Sequence, residues 1–248
     1  MDYVLLAVWC FVVALGGGLV GLVLGNIRLP AVLLLSSSPA AGTGANIGIS
    51  AVAAATASIA HVRAGRVNWR LFGWMGPPSI IGAILGGYLS GVLPGDLLLL
   101  AIAAVLLYSA YELLAKPDVS RKRPGREGLD IPVAVATGAV IGLLGGIVGL
   151  ILGSLRMPAL VRLVGEQPTR AVGTNVTVGF LVGVAGVIGH LPSEPPDWAL
   201  LAVGAAASIP GALIGSRLTG RLSERQLLRA IGVVLLVAAA VMIADALT

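Results

Sequence analysis

The chain has 248 residues, 57% hydrophobic and 11% charged, with a mean hydropathy of +1.00 and a formal net charge of +5. Soluble domains carry roughly 25% charged residues, so this composition excludes an ordinary globular protein and points to a polytopic membrane protein. The basic residues stand in short loops between apolar runs and form no single patch, which excludes nucleic acid as a partner. A single cysteine, Cys10, excludes an internal disulfide and a cysteine-rich metal site.

In chain order, the first apolar run carries Asp2 and lacks a basic leader, so it reads as a membrane segment and not as a cleaved signal. The patterning predicts segments at 3–25, 29–40, 43–62, 70–92 and 96–115, the second too short to span. The long polar stretch 116–130, "KPDVSRKRPGREGLD", is a linker. Five more segments follow at 131–153, 157–165, 172–190, 198–216 and 226–246, again with a short second one. The short segments are half-helices or re-entrant hairpins.

The two series are copies of one unit, residues 1–115 and 131–248. At a shift of 129, Gly44, Asn46, His61 and Trp69 fall on Gly173, Asn175, His190 and Trp198, and Gly82–Gly86 falls on Gly211–Gly215. At a shift of 128, Gly25, Arg28, Pro30 and Ala31 fall on Gly153, Arg156, Pro158 and Ala159. Loop charges say how the copies sit. Arg63, Arg66 and Arg70 occupy a loop whose counterpart carries Glu194 and Asp197, whereas the loop ending in Asp96 corresponds to one with Arg217, Arg221 and Arg225. Basic loops stay cytoplasmic, so equivalent loops lie on opposite sides, which describes an inverted-topology repeat. The fold class is therefore all-α, with about 8–10 membrane segments, a cytoplasmic linker and both termini outside. A parallel duplication is the alternative.

"LGNIRLPAVLLL" (Leu24–Leu35) and "LGSLRMPALVRL" (Leu152–Leu163) interrupt the oil at matching points. Gly25 and Gly153 can end a helix, and Pro30 and Pro158 suit the first turn of the next, which predicts a restart near Leu29. Broken backbone at membrane depth survives only when buried in protein or lining a wet cavity. Helix N-termini favour anions, and the planar forks of Arg28 and Arg156 match an oxyanion. Thr43, Asn46, Thr174 and Asn175 stand where a third helix begins, as caps or as donors to a substrate. In an inverted repeat these residues converge on one cavity. The alternative has both arginines snorkelling to opposite interfaces. His61 and His190 read as interfacial anchors beside Trp69 and Trp198, with proton coupling as the other reading. Glu166 reads as a solvated loop residue or a gate ion pair with Arg162 or Arg170.

"GTNVTVGFLVGVAGVIGHL", the following "PDW" and "PGALIGSRL", with "AGRVNWR" and "GAILGGYLSGVLP" in the first half, resemble the TauE/SafE family of sulfite and organosulfonate exporters over nearly the whole chain. The resemblance implies a cytoplasmic-membrane transporter of a small anion, a sulfur oxyanion or a carbon compound bearing one. The family's glycine cluster before the proline is reduced here to Gly21 and Gly25, and to Gly149 and Gly153, and an arginine stands two residues before the proline. Catalytic motifs are absent, and neither a metal nor a cofactor is expected. The expected partners are a small anionic substrate, the lipid bilayer and a second copy in a homodimer. Export by alternating access is the leading expectation. An anion channel and a non-transporting scaffold are the alternatives.

Overall fold

The computed structural model describes residues 2–89, 95–115, 130–148, 150–190 and 195–247. Linker residues 116–129, Gly149 and Glu194 lie outside the described residues, as do the side chains of Asp96 and His190. The described elements are helices: α1 Asp2–Val20, α2 Gly25–Leu33, α3 Pro39–Arg63, α4 Trp69–Tyr88 and α5 Gly95–Ala115 in the first half. The second half has α6 Ile131–Val148, α7 Gly153–Pro158 running into a π-helical stretch Ala159–Val164, α8 Pro168–His190, α9 Trp198–Thr219 and α10 Glu224–Leu247.

Five helices are long and apolar enough to cross a membrane: Asp2–Val20, Ala41–Arg63, Pro168–Ile188, Trp198–Thr219 and Glu224–Ala244. Leu100–Ala115 and Ile131–Ile147 are shorter apolar helices. The outer surface is as oily as the core, with Val4 67% and Leu5 64% exposed on α1. Water would penalise such a surface, and lipid does not. Helix starts follow local rules. Ser38 Oγ accepts the Ala41 N–H at 3.0 Å with Pro39 just inside α3, Asn68 Oδ1 accepts the Leu71 N–H, and Asp197 accepts the Leu200 N–H.

Glycine seams join the halves reciprocally. A Cβ on Gly211 would lie 2.3 Å from the Phe11 carbonyl oxygen and one on Gly215 2.1 Å from that of Leu15, so α1 and α9 touch backbone to backbone. The repeat-related pair α4 and α6 does the same, with 2.3 Å from Gly82 to Ala139 and 2.1 Å from Gly86 to Leu143. Between membrane helices no hydrophobic force drives association, so close backbone approach through small residues supplies the attraction. Two further large interfaces pair like with like, α3 with α8 and α5 with α10, while α3 also packs on α9 as α8 does on α4. This exchange pattern is that of a pseudo-two-fold.

Contacts also fix helix directions. α1 and α3 run parallel, since Leu6 and Cys10 pack with Ala45 and Ile49 while Gly18 meets His61. α3 and α8 run antiparallel, with Ser58 on Thr177 and Ala51 on Gly183. α8 is parallel to α4 through Asn68–Thr174 and Gly76–Leu181, and α4 is parallel to α6. So α6 runs opposite to α1, its counterpart, and the repeat is inverted. The chain returns from Val20 to Pro39 through α2. The Arg66 Nη1 donates to the Ser216 carbonyl at 2.8 Å, and Asn68 bonds Glu166, which puts the basic loops at one end. The Asp197 N–H donates to the Ala41 carbonyl at the other end.

Candidate functional site

The breaks fall earlier than the sequence predicts. α1 stops at Val20, Gly21 takes φ +68°, and α2 restarts at Gly25 itself. The left-handed φ needs glycine, and a Cβ there would lie 2.6 Å from Val172 on α8. Gly25 therefore opens a helix and does not end one, and Pro30 lies inside α2 instead of in its first turn. Pro158 likewise lies at the end of α7, where the missing N–H is followed by the π-helical stretch. Thr43, Asn46, Thr174 and Asn175 are not caps. α3 and α8 begin at Pro39 and Pro168, which places all four residues inside their helices. The helix starts lie upstream, at the Ser38-Pro39 and Gln167-Pro168 pairs, where proline suits the first turn.

Arg28 is 2% exposed and reaches α3 close to its midpoint at Ser50. It does not snorkel. Its Nε donates to Asn46 Oδ1 at 2.9 Å, and its Nη2 donates to the Asn46 carbonyl at 2.9 Å and to Ser50 Oγ. Asn46 Nδ2 donates to the Gly25 carbonyl at 3.1 Å, so one amide fastens both the helix start and the arginine. Gly25 itself is required by crowding, since a Cβ would sit 2.8 Å from Ser50 Oγ.

A cavity of about 20 Å³ opens beside this guanidinium. Its wall comes from α1 (Val13, Ala14, Gly17, Gly18), the break (Leu22, Val23, Leu24), α3 (Ser50, Ala53, Ala54, Ala57) and Val176 of α8. Among the described residues no carboxylate lines it. A buried guanidinium bonded only to neutral oxygens carries an uncompensated charge at high desolvation cost, which an anion offsets.

The second half repeats the frame but not the site. Arg156 is 1% exposed, and its Nη1 donates to Asn175 Oδ1 at 3.4 Å while its Nε has no partner. Asn175 Nδ2 donates to Gly153 at 3.0 Å and also to Gly21 of the first half at 2.7 Å, so the two breaks meet as an inverted repeat requires. At the place of Ser50 stands Gly179, against which Val23 packs, with 2.7 Å from a Cβ there to Val23 Cγ2. Arg156 does not line the cavity. The arrangement is thus a one-sided pocket at Arg28, and the two arginines do not share a cavity wall. Thr174 accepts the Asn68 N–H at 2.9 Å and so serves the α3–α4 loop, away from Arg156; Thr43 is partly buried one turn before Asn46.

Several residues that sequence reasoning passed over or misplaced complete the picture. Ser50 supplies an acceptor whose spacing from Asn46, four residues on one helix face, is the only signal for it. His61 is fully buried with Nε2 3.3 Å from the Gly18 carbonyl, which replaces the interfacial-anchor reading. Glu166 is 4% exposed and bonds the Asn68 amide and, at 2.9 Å, the Gln167 N–H, so it is buried in the protein and not solvated. Burial also pushes the Arg66 guanidinium below its usual range where it covers the C-terminal turn of α9. Among the described residues no cluster of His, Cys, Asp or Glu could hold a metal ion.

The profile described as Sulfite exporter TauE/SafE matches residues 6–242. Relatives in Bacillus subtilis (strain 168) include Probable membrane transporter protein YunE, 24% identical, covering 91% of this chain and 90% of that one. Probable membrane transporter protein YjnA is 28% identical, covering 85% of this chain and 89% of the relative. No solved structure matches the chain. With a family profile spanning all but the extreme ends of an inverted, broken-helix membrane fold, this chain belongs to the TauE/SafE sulfite exporter family of membrane transporters.

Proposed function

We propose that this membrane protein is a secondary transporter that binds a small oxyanion at Arg28 and carries it across the cytoplasmic membrane by alternating access. The observation that carries the reading is Arg28 itself. It is 2% exposed, it is held by Asn46 and Ser50 near the middle of α3, and it borders a cavity that no carboxylate lines among the described residues. Asn46 and Ser50 pin the fork so that little side-chain entropy is lost when the anion arrives. The inverted repeat supplies the second state, because the small-residue seams between α1 and α9 and between α4 and α6 allow the halves to rock. With the basic loops inside, outward movement of an anion runs with the membrane potential, at about 2.3 kcal/mol per charge per 100 mV. No nucleotide is needed.

Purified protein in detergent, titrated with sodium sulfite, tests the binding step. A specific site raises the melting temperature of the wild type in proportion to ln(1 + [L]/Kd), about 2.7 kcal/mol of stabilisation at a hundredfold excess over Kd. Arg28→Met removes the shift. Equal shifts in both proteins would end the reading.

A further inference from the structure

The Arg28 cavity also says which anions fit, an inference that rests on the anion reading above. Among the described residues Arg28 is the one charged side chain in its wall; the others are valines, leucines, alanines, glycines and Ser50. Arg156 is as deeply buried but is held by Asn175 and does not reach this wall. The volume, about 20 Å³, compares with the roughly 10–15 Å³ that one water needs.

We propose that the site selects singly charged anions of a few heavy atoms, such as hydrogensulfite, nitrite or formate, and rejects dianions and sulfonates with a carbon chain. One guanidinium neutralises one negative charge. A second charge would be buried against Val13, Val23 and Val176, where Ser50 is the one polar side chain besides Arg28 among the described lining residues. An unpaired ion in such a wall meets the full desolvation penalty. Size acts in the same direction. Ala53, Ala54, Ala57, Gly17 and Gly18 border a space of only about 20 Å³, too small for a carbon chain beside the charged group. For an acid with two ionisations the transported species is then the monoanion, and its flux tracks the monoanionic fraction.

Initial rates in proteoliposomes separate the possibilities, with wild type and Arg28→Met compared for nitrite, formate, sulfate, thiosulfate and sulfite. Nitrite and formate are expected to move at least about tenfold faster than sulfate and thiosulfate, a gap that corresponds to one decade of affinity. Sulfite flux is expected to fall as pH rises through its second ionisation, whereas nitrite flux stays level. Sulfate keeping pace with nitrite, both lost in Arg28→Met, overturns the charge selection and leaves the anion site standing. A pH fall shared by nitrite and sulfite places the titration on the protein and also overturns it. Equal flux in Arg28→Met, or no flux of any anion in wild type, brings down the anion reading itself. If Arg28→Met yields no folded protein, Ser50→Ala replaces it, and monoanion flux must fall with the ranking unchanged.

Discussion

Replacing Asn46 with leucine removes two anchors of the first break in one step. Arg28 Nε loses its acceptor at 2.9 Å, and the Gly25 carbonyl loses its donor at 3.1 Å. A buried orphan costs about 1–3 kcal/mol, with the charged one at the upper end, so the two together cost roughly 4 kcal/mol. For a chain of this size each kcal/mol corresponds to about 2–4 °C, which sets an expected fall of roughly 8–16 °C in the melting temperature of the detergent-solubilised protein. The double variant Arg28→Met, Asn46→Leu should lose less than the sum of the singles, because the orphaned cation is gone; a coupling of about 0.5–3 kcal/mol is expected. A single variant that melts within a degree or two of wild type would refute the claim that these bonds hold the break. Strict additivity in the double variant would refute the claim that they hold it through Arg28.

Other outcomes follow from the same contacts. Gly215→Ala and Gly86→Ala each drive a Cβ to 2.1 Å from a backbone oxygen across a seam and should abolish monodisperse protein in size-exclusion chromatography, whereas Gly76→Ala, whose Cβ would meet a Leu181 methyl at 3.6 Å, should be tolerated. Glu166→Leu leaves the Asn68 amide and the Gln167 N–H unpaired inside the protein and should cost about 2–4 kcal/mol of thermal stability, with Glu166→Gln milder because its carbonyl still accepts from Asn68. In a Cys10→Ser background, an impermeant maleimide applied to intact cells should label Pro195→Cys and spare Ala64→Cys and Ser223→Cys; labelling of all three would contradict the end-to-end sorting of the loops.

The frame of this fold is legible in the sequence because a duplication states each feature twice. Arg28 with Asn46, and Arg156 with Asn175, align at shifts of 128 and 129, and the structure brings each pair together. Loop charge alone predicts the inversion, and the α1–α3 and α3–α8 contacts agree. The exact break was harder. Gly21 and Gly25 are equally permissive on paper, and only closure of the chain against Val172 makes Gly21 take the positive φ. The assumption of symmetry also misled. The same alignment that pairs the arginines sets Ser50 against Gly179, but the consequence appears only when α2 lies on α3 and Val23 packs on Gly179. The Asn68–Glu166 bond joins residues 98 apart, beyond any local pattern. His61 looked interfacial because it stands near the basic loop, and the Gly18 carbonyl that receives it belongs to another helix.

Asn46→Asp tests the central claim most directly. It places a carboxylate where Oδ1 stands, 2.9 Å from Arg28 Nε, so the protein supplies internally the charge that the anion would bring. The measurement is sulfite flux into proteoliposomes beside the melting temperature of the same preparation. The account predicts that Asn46→Asp stays folded, the new ion pair with Arg28 offsetting the lost bond from Nδ2 to the Gly25 carbonyl, and loses both flux and sulfite-dependent stabilisation. A folded Asn46→Asp protein that transports and responds to sulfite as the wild type does would contradict Arg28 as the anion-binding group.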